Sequence, residues 1–291
     1  MTILAADMRT HLVTYMKRIN NLEFKEKDKF GNKVKCFRYP RRDLPYSMPS
    51  AHWEWTPEQK WTSPPDFRLK EGISSALAIK HIFDNPTDFK DQVRVDCRLA
   101  CILAYYRSAL KCIGDDAKIF DGWVSKLIHH YNSEYVPKEN VRRKSIEKPL
   151  LSLIGNTLPL RNDDAVVVLL RNERTLKWDQ RVDRGDWVYL HNYSDYGLRH
   201  KYGFWAGENA IVVNTDGNRT FFEGHGVTED SECAIRVRLF RAYNDDDGAD
   251  QKIPKKDLER KPIGDTLPPG LISDGKISPV YTPKSFELVS S

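Results

Sequence analysis

Apolar residues recur every three or four positions in the first half of the chain, which is the spacing that places them on one face of an α-helix. The clearest stretch predicts a helix from Asp96 to Ile113, stopped by Gly114. Its apolar face is formed by Leu99, Ile102, Leu103, Tyr106, Leu110 and Ile113. The same spacing predicts three further helices, at 4–20, 73–83 and 120–131.

The pattern changes in the second half to short runs of β-branched and aromatic residues, which are typical of strands. We expect strands at 165–170, 186–190, 209–213, 219–223 and 233–239. Asp216, Gly217 and Asn218 indicate a hairpin turn between two of them. Helices followed by a mainly antiparallel sheet favour an α+β fold in which the helix at 96–113 packs on the sheet.

Changes in pattern and composition along the chain divide it into three parts. Residues 1–70 are expected to be irregular after their first helix, and their Trp53, Trp55 and Trp61 make them an aromatic-rich N-terminal arm. The arm either packs over the main domain or lines a substrate groove. Residues 71–243 form the predicted catalytic domain, and 244–291 form a polar tail that we expect to have little regular structure.

Composition narrows the classes of partner. The 46 basic and 41 acidic residues are interleaved along the chain and give a net charge of only +5, so nucleic acid is not an expected partner. Charged residues interrupt the apolar N-terminus, and no later run is long enough for a membrane span. We expect a monomer made in the cytoplasm, with signal-less secretion or incorporation into a particle left open.

The five cysteines are odd in number and lack the spacing of a disulfide scaffold, so reduced thiols are expected. Cys97 and Cys101 could contribute to a zinc site only with a second pair of ligands, for which His129 and His130 are poorly placed in sequence. We expect no bound metal and no organic cofactor.

Cys97 is the candidate nucleophile because it begins the predicted helix at 96–113, where unpaired backbone N–H groups favour a thiolate. A cysteine on an amphipathic helix is more often a small core residue, so the assignment depends on what lies nearby. Glu208 and His225 fall on the later strands, where they can supply a carboxylate and an imidazole. Together these residues indicate an acyl-transfer site.

The order of these segments resembles the bacterial spore-coat type of protein-glutamine γ-glutamyltransferase, a transglutaminase with a papain-like (NlpC/P60-like) core. The likeness extends from Glu71 to Ile235 and includes the stretches at 78–86, 105–106, 185–192, 205–209 and 224–226. The resemblance implies that Cys97 is the nucleophile and Glu208 its carboxylate partner. The family has a glutamate before its cysteine, whereas this chain has Asp96, and His225 is a nearby candidate without an assigned role. Candidate substrate-binding residues are Trp205, Asn209 and Trp187.

These residues suggest a reaction in which the Cys97 thiolate attacks a glutamine carboxamide, ammonia leaves, and a lysine amine takes the acyl group from the thioester. The expected partners are therefore proteins that present glutamine and lysine. Proton transfer from a thiol of pKa about 8.5 to a glutamate of pKa about 4.3 costs roughly 5–6 kcal/mol, so a carboxylate base needs a raised pKa.

Two other hypotheses about the function stay open. If water reaches the thioester, the protein is a glutamine deamidase or another cysteine amidase or peptidase, such as an effector or toxin. If Cys97 is only a buried core residue, the protein is a non-catalytic binding module.

Overall fold

The structure is a computed structural model. It describes residues 2–40, 46–55, 67–84, 86, 88–122, 124, 171–176, 182–193, 196, 200, 205–216, 219–244, 277–283 and 286–287. No helix in these parts of the chain is long and apolar enough to cross a membrane.

Four helices have defined bounds: α1 (Ala5–Asn21), α2 (Ser75–Asp84), α3 (Cys97–Cys112) and α4 (Glu232–Asn244). The first six strands are β1 (Thr2–Ile3), β2 (Glu23–Lys27), β3 (Lys33–Lys35), β4 (Phe37–Arg38), β5 (Trp53–Trp55) and β6 (Phe67–Leu69). The next four are β7 (Val93–Arg94), β8 (Arg171–Leu176), β9 (Trp187–His191) and β10 (Gly207–Asp216). The last four are β11 (Arg219–Gly224), β12 (Val227–Ser231), β13 (Ile277–Pro283) and β14 (Phe286–Glu287).

One six-stranded sheet, in the order β12-β11-β10-β9-β13-β8, forms the centre of the molecule. Its neighbouring strands all pair antiparallel. Successive side chains of a strand point to opposite faces. On β10, Ile211 therefore joins the core that contains α1 and α3, whereas Ala210 and Val212 join a second core with residues of α4.

The periodicity predictions for the first half of the chain are confirmed for the helices α1, α2 and α3. The helix α3 ends as predicted, because Gly114 has φ +69° and the Asp115 N–H then bonds back to the Leu110 carbonyl. The predicted helix at 120–131 lies mostly outside the described residues, and the predicted strand at 165–170 lies entirely outside them.

The predicted strand at 233–239 is wrong, because these residues belong to the helix α4. Ile235, Leu239 and Tyr243 follow one another at intervals of four residues and are fully buried. Within the same helix Arg236 bonds to Glu232 one turn earlier. The alternation of apolar and charged residues suggested a strand, but the spacing of four decides which side chains reach the core.

The expectation of little regular structure after residue 243 is also wrong in part. The strand β13 lies between β9 and β8 in the central sheet, and β14 pairs with β1 near the N-terminus. The lysines, prolines and glycines of the tail concealed the short strand β13, which itself contains two prolines and whose partners lie far away in sequence.

The first helix contributes to the main core. Met8, Leu12 and Met16 of α1 are fully buried, in the same cluster as the apolar face of α3. Trp53 is buried there as well. The division of the chain at residues 70 and 243 stays a prediction, but the segment before residue 70 supports the helix that carries Cys97.

Candidate active site

Asp96 fixes the N-terminus of α3. Its backbone is extended, its Oδ1 accepts a hydrogen bond from the Leu99 N–H at 2.8 Å, and Cys97 is the first residue of the helix. The Tyr46 hydroxyl donates to its Oδ2 at 3.2 Å. Both carboxylate oxygens thus have partners, and the position of Asp96 is explained by its role as a helix cap.

The sulfur of Cys97 lies against the start of β10. It is 4.0 Å from the Gly207 carbonyl oxygen, and the Asn209 side-chain amide donates to it at 3.5 Å. The Trp187 indole N–H donates to the Asn209 Oδ1 at 2.9 Å. Because the indole N–H can only donate, it fixes the amide oxygen on its own side, and the NH₂ group of Asn209 must then face the sulfur.

The environment of Cys97 disfavours a resting thiolate. Burial raises the pKa of the Cys97 thiol well above its ordinary range, and the negative charges of Glu208 and Asp96 raise it further. Donation from Asn209 acts in the opposite direction. Burial and the two nearby carboxylates therefore act against the thiolate that the helix N-terminus was expected to favour.

Glu208 is fully buried at the start of β10, next to Asn209 in sequence. The two side chains leave the strand on opposite faces, so Asn209 faces the sulfur and Glu208 lies against Gly224 of β11. A Cβ atom at position 224 would stand 2.6 Å from the Glu208 Oε1, so glycine leaves the space that this carboxyl occupies. The same Oε1 has no hydrogen-bond partner among the described residues.

Burial raises the pKa of Glu208 well above its ordinary range, and the charge of Asp96 adds to the rise. A hydrogen bond from Tyr39 and the charge of Arg238 lower the pKa but do not reverse its shift. The raised pKa that a carboxylate base needs is thus present at Glu208, and the cause is chiefly desolvation.

Tyr39 places one hydroxyl group between two acceptors. Its oxygen contacts the His225 carbonyl closely and lies 3.4 Å from the Glu208 Oε2. A phenol has one proton, and the carbonyl can only accept it. While the Tyr39 O–H donates to the His225 carbonyl, its contact with Glu208 is favourable only if the Glu208 carboxyl is protonated and donates to the Tyr39 oxygen. An ionised Glu208 would instead accept the hydrogen bond from Tyr39.

His225 lies in the tight connection between β11 and β12, and its ring stacks on Tyr39 with centroids 4.3 Å apart. Burial lowers the pKa of His225 to about 4, so its imidazole is neutral near pH 7. Asn20 of α1 holds this connection: its amide donates to the carbonyls of Gly224 and Val227 at 2.8 Å, and its Oδ1 accepts from the Gly226 N–H. His225 is therefore linked to Glu208 by the Tyr39 hydroxyl, which contacts both residues.

The predicted site residues differ in how they relate to the Cys97 sulfur. Cys97, Asn209 and Trp187 are joined by hydrogen bonds, and Glu208 acts on the sulfur through its charge. Trp187 is 2% exposed and Asn209 7%, so both are parts of the interior. The ring of Trp205 is partly exposed and lies 6.0 Å from that of Tyr39.

Tyr39 and Asn20 are the two residues that sequence reasoning missed. In the sequence Tyr39 is followed by a proline, which breaks regular structure, and Asn20 is the last residue of the first predicted helix. Neither position carried a signal of its partners, which lie 169 to 207 residues away along the chain.

All five cysteines are free thiols. Within the described ranges, no group of three or more His, Cys, Asp or Glu side chains could hold a metal ion. His129 and His130, considered above for zinc, lie outside those ranges.

Three comparisons relate the chain to known proteins. No curated protein sequence matches it. Among solved structures it is similar to a transglutaminase from Geobacillus stearothermophilus without its C-terminal extension, with 15% identity, 84% of this chain and 86% of that chain covered, and a TM-score of 0.46. The family model of protein-glutamine γ-glutamyltransferase matches residues 6–246. The chain therefore belongs to the protein-glutamine γ-glutamyltransferase family.

Proposed function

We propose that this protein forms a thioester between Cys97 and the side chain of a protein glutamine, releases ammonia, and transfers the acyl group to a lysine amine. The observation that carries the proposal is the meeting of a thiol at a helix N-terminus, an oriented amide donor and a buried carboxyl of raised pKa. The nucleophile helix packed on an antiparallel sheet is also what a papain-like core would present.

Glu208 is the better candidate for the base. Both oxygens of Asp96 are engaged in holding the helix and Tyr46, whereas Oε1 of Glu208 has no partner among the described residues. Glu208 receives the proton of Cys97 in the proposed reaction. Because Oε1 lies against Gly224 on the other face of β10, this transfer requires the two groups to approach each other when the substrate binds, as catalytic groups often do in the complex.

One negative charge is shared between the two groups. When the proton moves from Cys97 to Glu208, the charge moves to the sulfur, so the cost of burying a charge is similar in both arrangements. Donation from Asn209 favours the thiolate, and donation from Tyr39 favours the carboxylate. While the Tyr39 hydroxyl donates to the His225 carbonyl, the ionised form of Glu208 lacks this donor. The proton equilibrium then shifts towards the Cys97 thiolate with a protonated Glu208.

The steps then balance in atoms and charge. The thiolate attacks the glutamine carbonyl carbon, and the oxyanion is held by the first-turn backbone N–H of Cys97. The C–N bond breaks, and the leaving NH₂ group takes the proton of Glu208 and departs as ammonia. A lysine amine attacks the thioester, Glu208 accepts its proton, and return of that proton to the departing sulfur restores the thiol.

The test is incubation of the protein with a glutamine peptide and a primary amine, followed by mass measurement. Transfer adds the amine and removes ammonia, whereas deamidation converts the glutamine to glutamate. We expect transfer, lost in Cys97→Ala and retained in Cys112→Ala, which removes a partly exposed thiol at the other end of α3. Turnover that survives in Cys97→Ala would remove the proposal.

A further inference from the structure

Trp187 is a core residue whose polar group points at the candidate site. Its side chain is 2% exposed and belongs to the core that contains α1 and α3. The indole N–H donates to the Asn209 Oδ1 at 2.9 Å. A phenylalanine would fill this core without a polar group to satisfy, so packing alone does not account for the N–H. Its effect is therefore to be sought at Asn209.

Trp187 and Asn209 meet because their strands are neighbours in the central sheet. Asn209 of β10 stands opposite Tyr189 of β9, so Trp187, two residues before Tyr189, is its diagonal neighbour on the same face. Diagonal neighbours are within reach of a side chain as large as tryptophan. The register of two central strands thus sets this contact.

The helix α3 holds both residues from the other side. Cys97, Cys101 and Tyr105 follow one another at intervals of four and lie along one face of the helix. The Cys101 thiol donates to the Asn209 main-chain carbonyl at 3.5 Å, and the rings of Tyr105 and Trp187 have centroids 5.7 Å apart. The main chain at position 209 and the indole are thereby fixed. The orientation of the Asn209 amide is then decided by its own hydrogen bonds.

That orientation determines which form of Cys97 the amide favours. With its NH₂ group towards the sulfur, Asn209 donates to a thiolate. Turned over, the amide would present Oδ1, which accepts from a neutral thiol and repels a thiolate. The indole disfavours this second orientation, because two N–H donors would then face each other in the interior.

From these contacts we propose that Trp187 is a positioning residue for the nucleophile: its N–H holds the Asn209 amide in the orientation that stabilises the Cys97 thiolate. The inference rests on the function proposed above in taking Cys97 as the nucleophile. It assigns Trp187 a part in reactivity, distinct from the substrate binding predicted from the sequence. Because Trp187 acts through Asn209, its substitution should lower kcat and leave KM nearly unchanged.

The test compares the pH dependence of Cys97 alkylation by iodoacetamide in the wild-type protein and in Trp187→Phe. Trypsin cleavage after Arg94 and Arg98 separates Cys97 from the other free thiols, so mass measurement reports this cysteine alone. Without the N–H, the amide can turn over and accept from the neutral thiol. The pKa of Cys97 should then rise by about one unit, and alkylation below that pKa should slow about tenfold, with a similar loss of kcat for ammonia release. The other titratable groups that act at this sulfur are the same in both proteins: Glu208, Asp96, Tyr39 and Tyr189.

Three further proteins separate the loss of the N–H from the loss of volume. Trp53→Phe makes the same substitution in the same core, at an indole N–H without a hydrogen-bond partner among the described residues, and should leave the pKa of Cys97 unchanged. A tryptophan analogue at position 187, with sulfur in place of the indole N–H, keeps the size of the ring and should reproduce the shift. In an Asn209→Ala background, Trp187→Phe should have no further effect, because the donor that it positions is gone.

The outcomes distinguish this inference from the proposed function. A wild-type pKa of Cys97 in the analogue protein, or an equal shift in Trp53→Phe, would overturn the positioning role. Cys97-dependent ammonia release with unchanged kcat in Trp187→Phe would do the same and leave the transferase intact. A raised pKa in Trp187→Phe, without ammonia release by the wild-type protein from any glutamine peptide, would remove the transferase and keep the positioning role.

Discussion

The most informative perturbation is Tyr39→Phe, because it removes one hydroxyl from between two acceptors and keeps the ring that stacks on His225. In the wild-type protein the hydroxyl can donate to Glu208 once that carboxyl ionises. Phenylalanine cannot donate. The ionised form of Glu208 loses a hydrogen bond, and its raised pKa should rise further.

The magnitude follows from the two hydrogen bonds. A hydrogen bond to a charged group contributes about 1.5–3 kcal/mol, and turning towards Glu208 gives up a neutral bond to the His225 carbonyl worth about 0.5–1.5 kcal/mol. The net loss is about 1–1.5 kcal/mol, which moves the acid limb of the activity profile upwards by about one pH unit.

The raised pKa of Glu208 also sets how the activity of the wild-type protein changes with pH. Because burial raises the pKa of Glu208, the arrangement with one negative charge forms only as the pH rises through that value, so ammonia release should increase with pH. A limb set by His225, whose pKa burial lowers to about 4, would lie at lower pH. The assay is kcat/KM for ammonia release between pH 5 and 10.

Two further variants are controls for the Tyr39→Phe measurement. Glu208→Gln should lose most of the activity, together with the rise of kcat/KM on the acid side of the pH profile. Tyr15→Phe changes a buried tyrosine packed on Phe83 and should leave that rise at the wild-type pH. If the acid side of the pH profile is the same in Tyr39→Phe as in the wild type, the Tyr39 hydroxyl donates only to the His225 carbonyl. Tyr39 would then have no part in the charge shared by Cys97 and Glu208.

Two other substitutions test single contacts. Asp96→Ala should destabilise the protein by about 1 kcal/mol in chemical denaturation because it removes the cap, whereas Asp96→Asn should retain both the cap and most activity; a large loss of kcat in the asparagine variant would make Asp96 the base instead. Gly224→Ala should reduce kcat by at least 10-fold with little change in KM, since its Cβ would stand 2.6 Å from the Glu208 Oε1 and displace this carboxyl; unchanged kcat would show that the carboxyl can move without consequence.

The sequence was a good guide where the signal is local. The helix α3 was predicted close to its true bounds because its cap, its apolar spacing and the glycine that ends it all lie within twenty residues of one another. The hairpin between β10 and β11 is confirmed by the pairing of Asp216 with Arg219. Its two central residues lie outside the described ranges.

Local pattern failed where tertiary contacts decide. Residues 233–239 alternate well enough for a strand, yet Ile235 and Leu239 reach the second core only on a helix. The strand β13 is held in the sheet by β8 and β9, about a hundred residues earlier in the chain. A short run interrupted by two prolines gives no local sign of such partners.

The same limit explains what was missed at the site. Cys97 and Glu208 could be selected from their residue types and order, but the pKa of each depends on burial and on neighbours that the order does not reveal. Helix-terminus reasoning predicted a stable thiolate at Cys97. The nearby carboxylates and the exclusion of solvent give the opposite direction.

Three contacts from the first fifty residues bear on how the site is held. Asn20 fixes the connection that contains His225, Tyr39 joins that connection to Glu208, and Tyr46 donates to Asp96 at the helix start. The α1 helix also shares a core with the apolar face of α3, the helix that begins at Cys97. A unit beginning at residue 71 would contain Cys97 and Glu208 but would lack the hydroxyl that distributes charge between them. The segment before residue 70 is therefore better regarded as the frame that sets the protonation of the candidate nucleophile than as an accessory that lies over a complete enzyme.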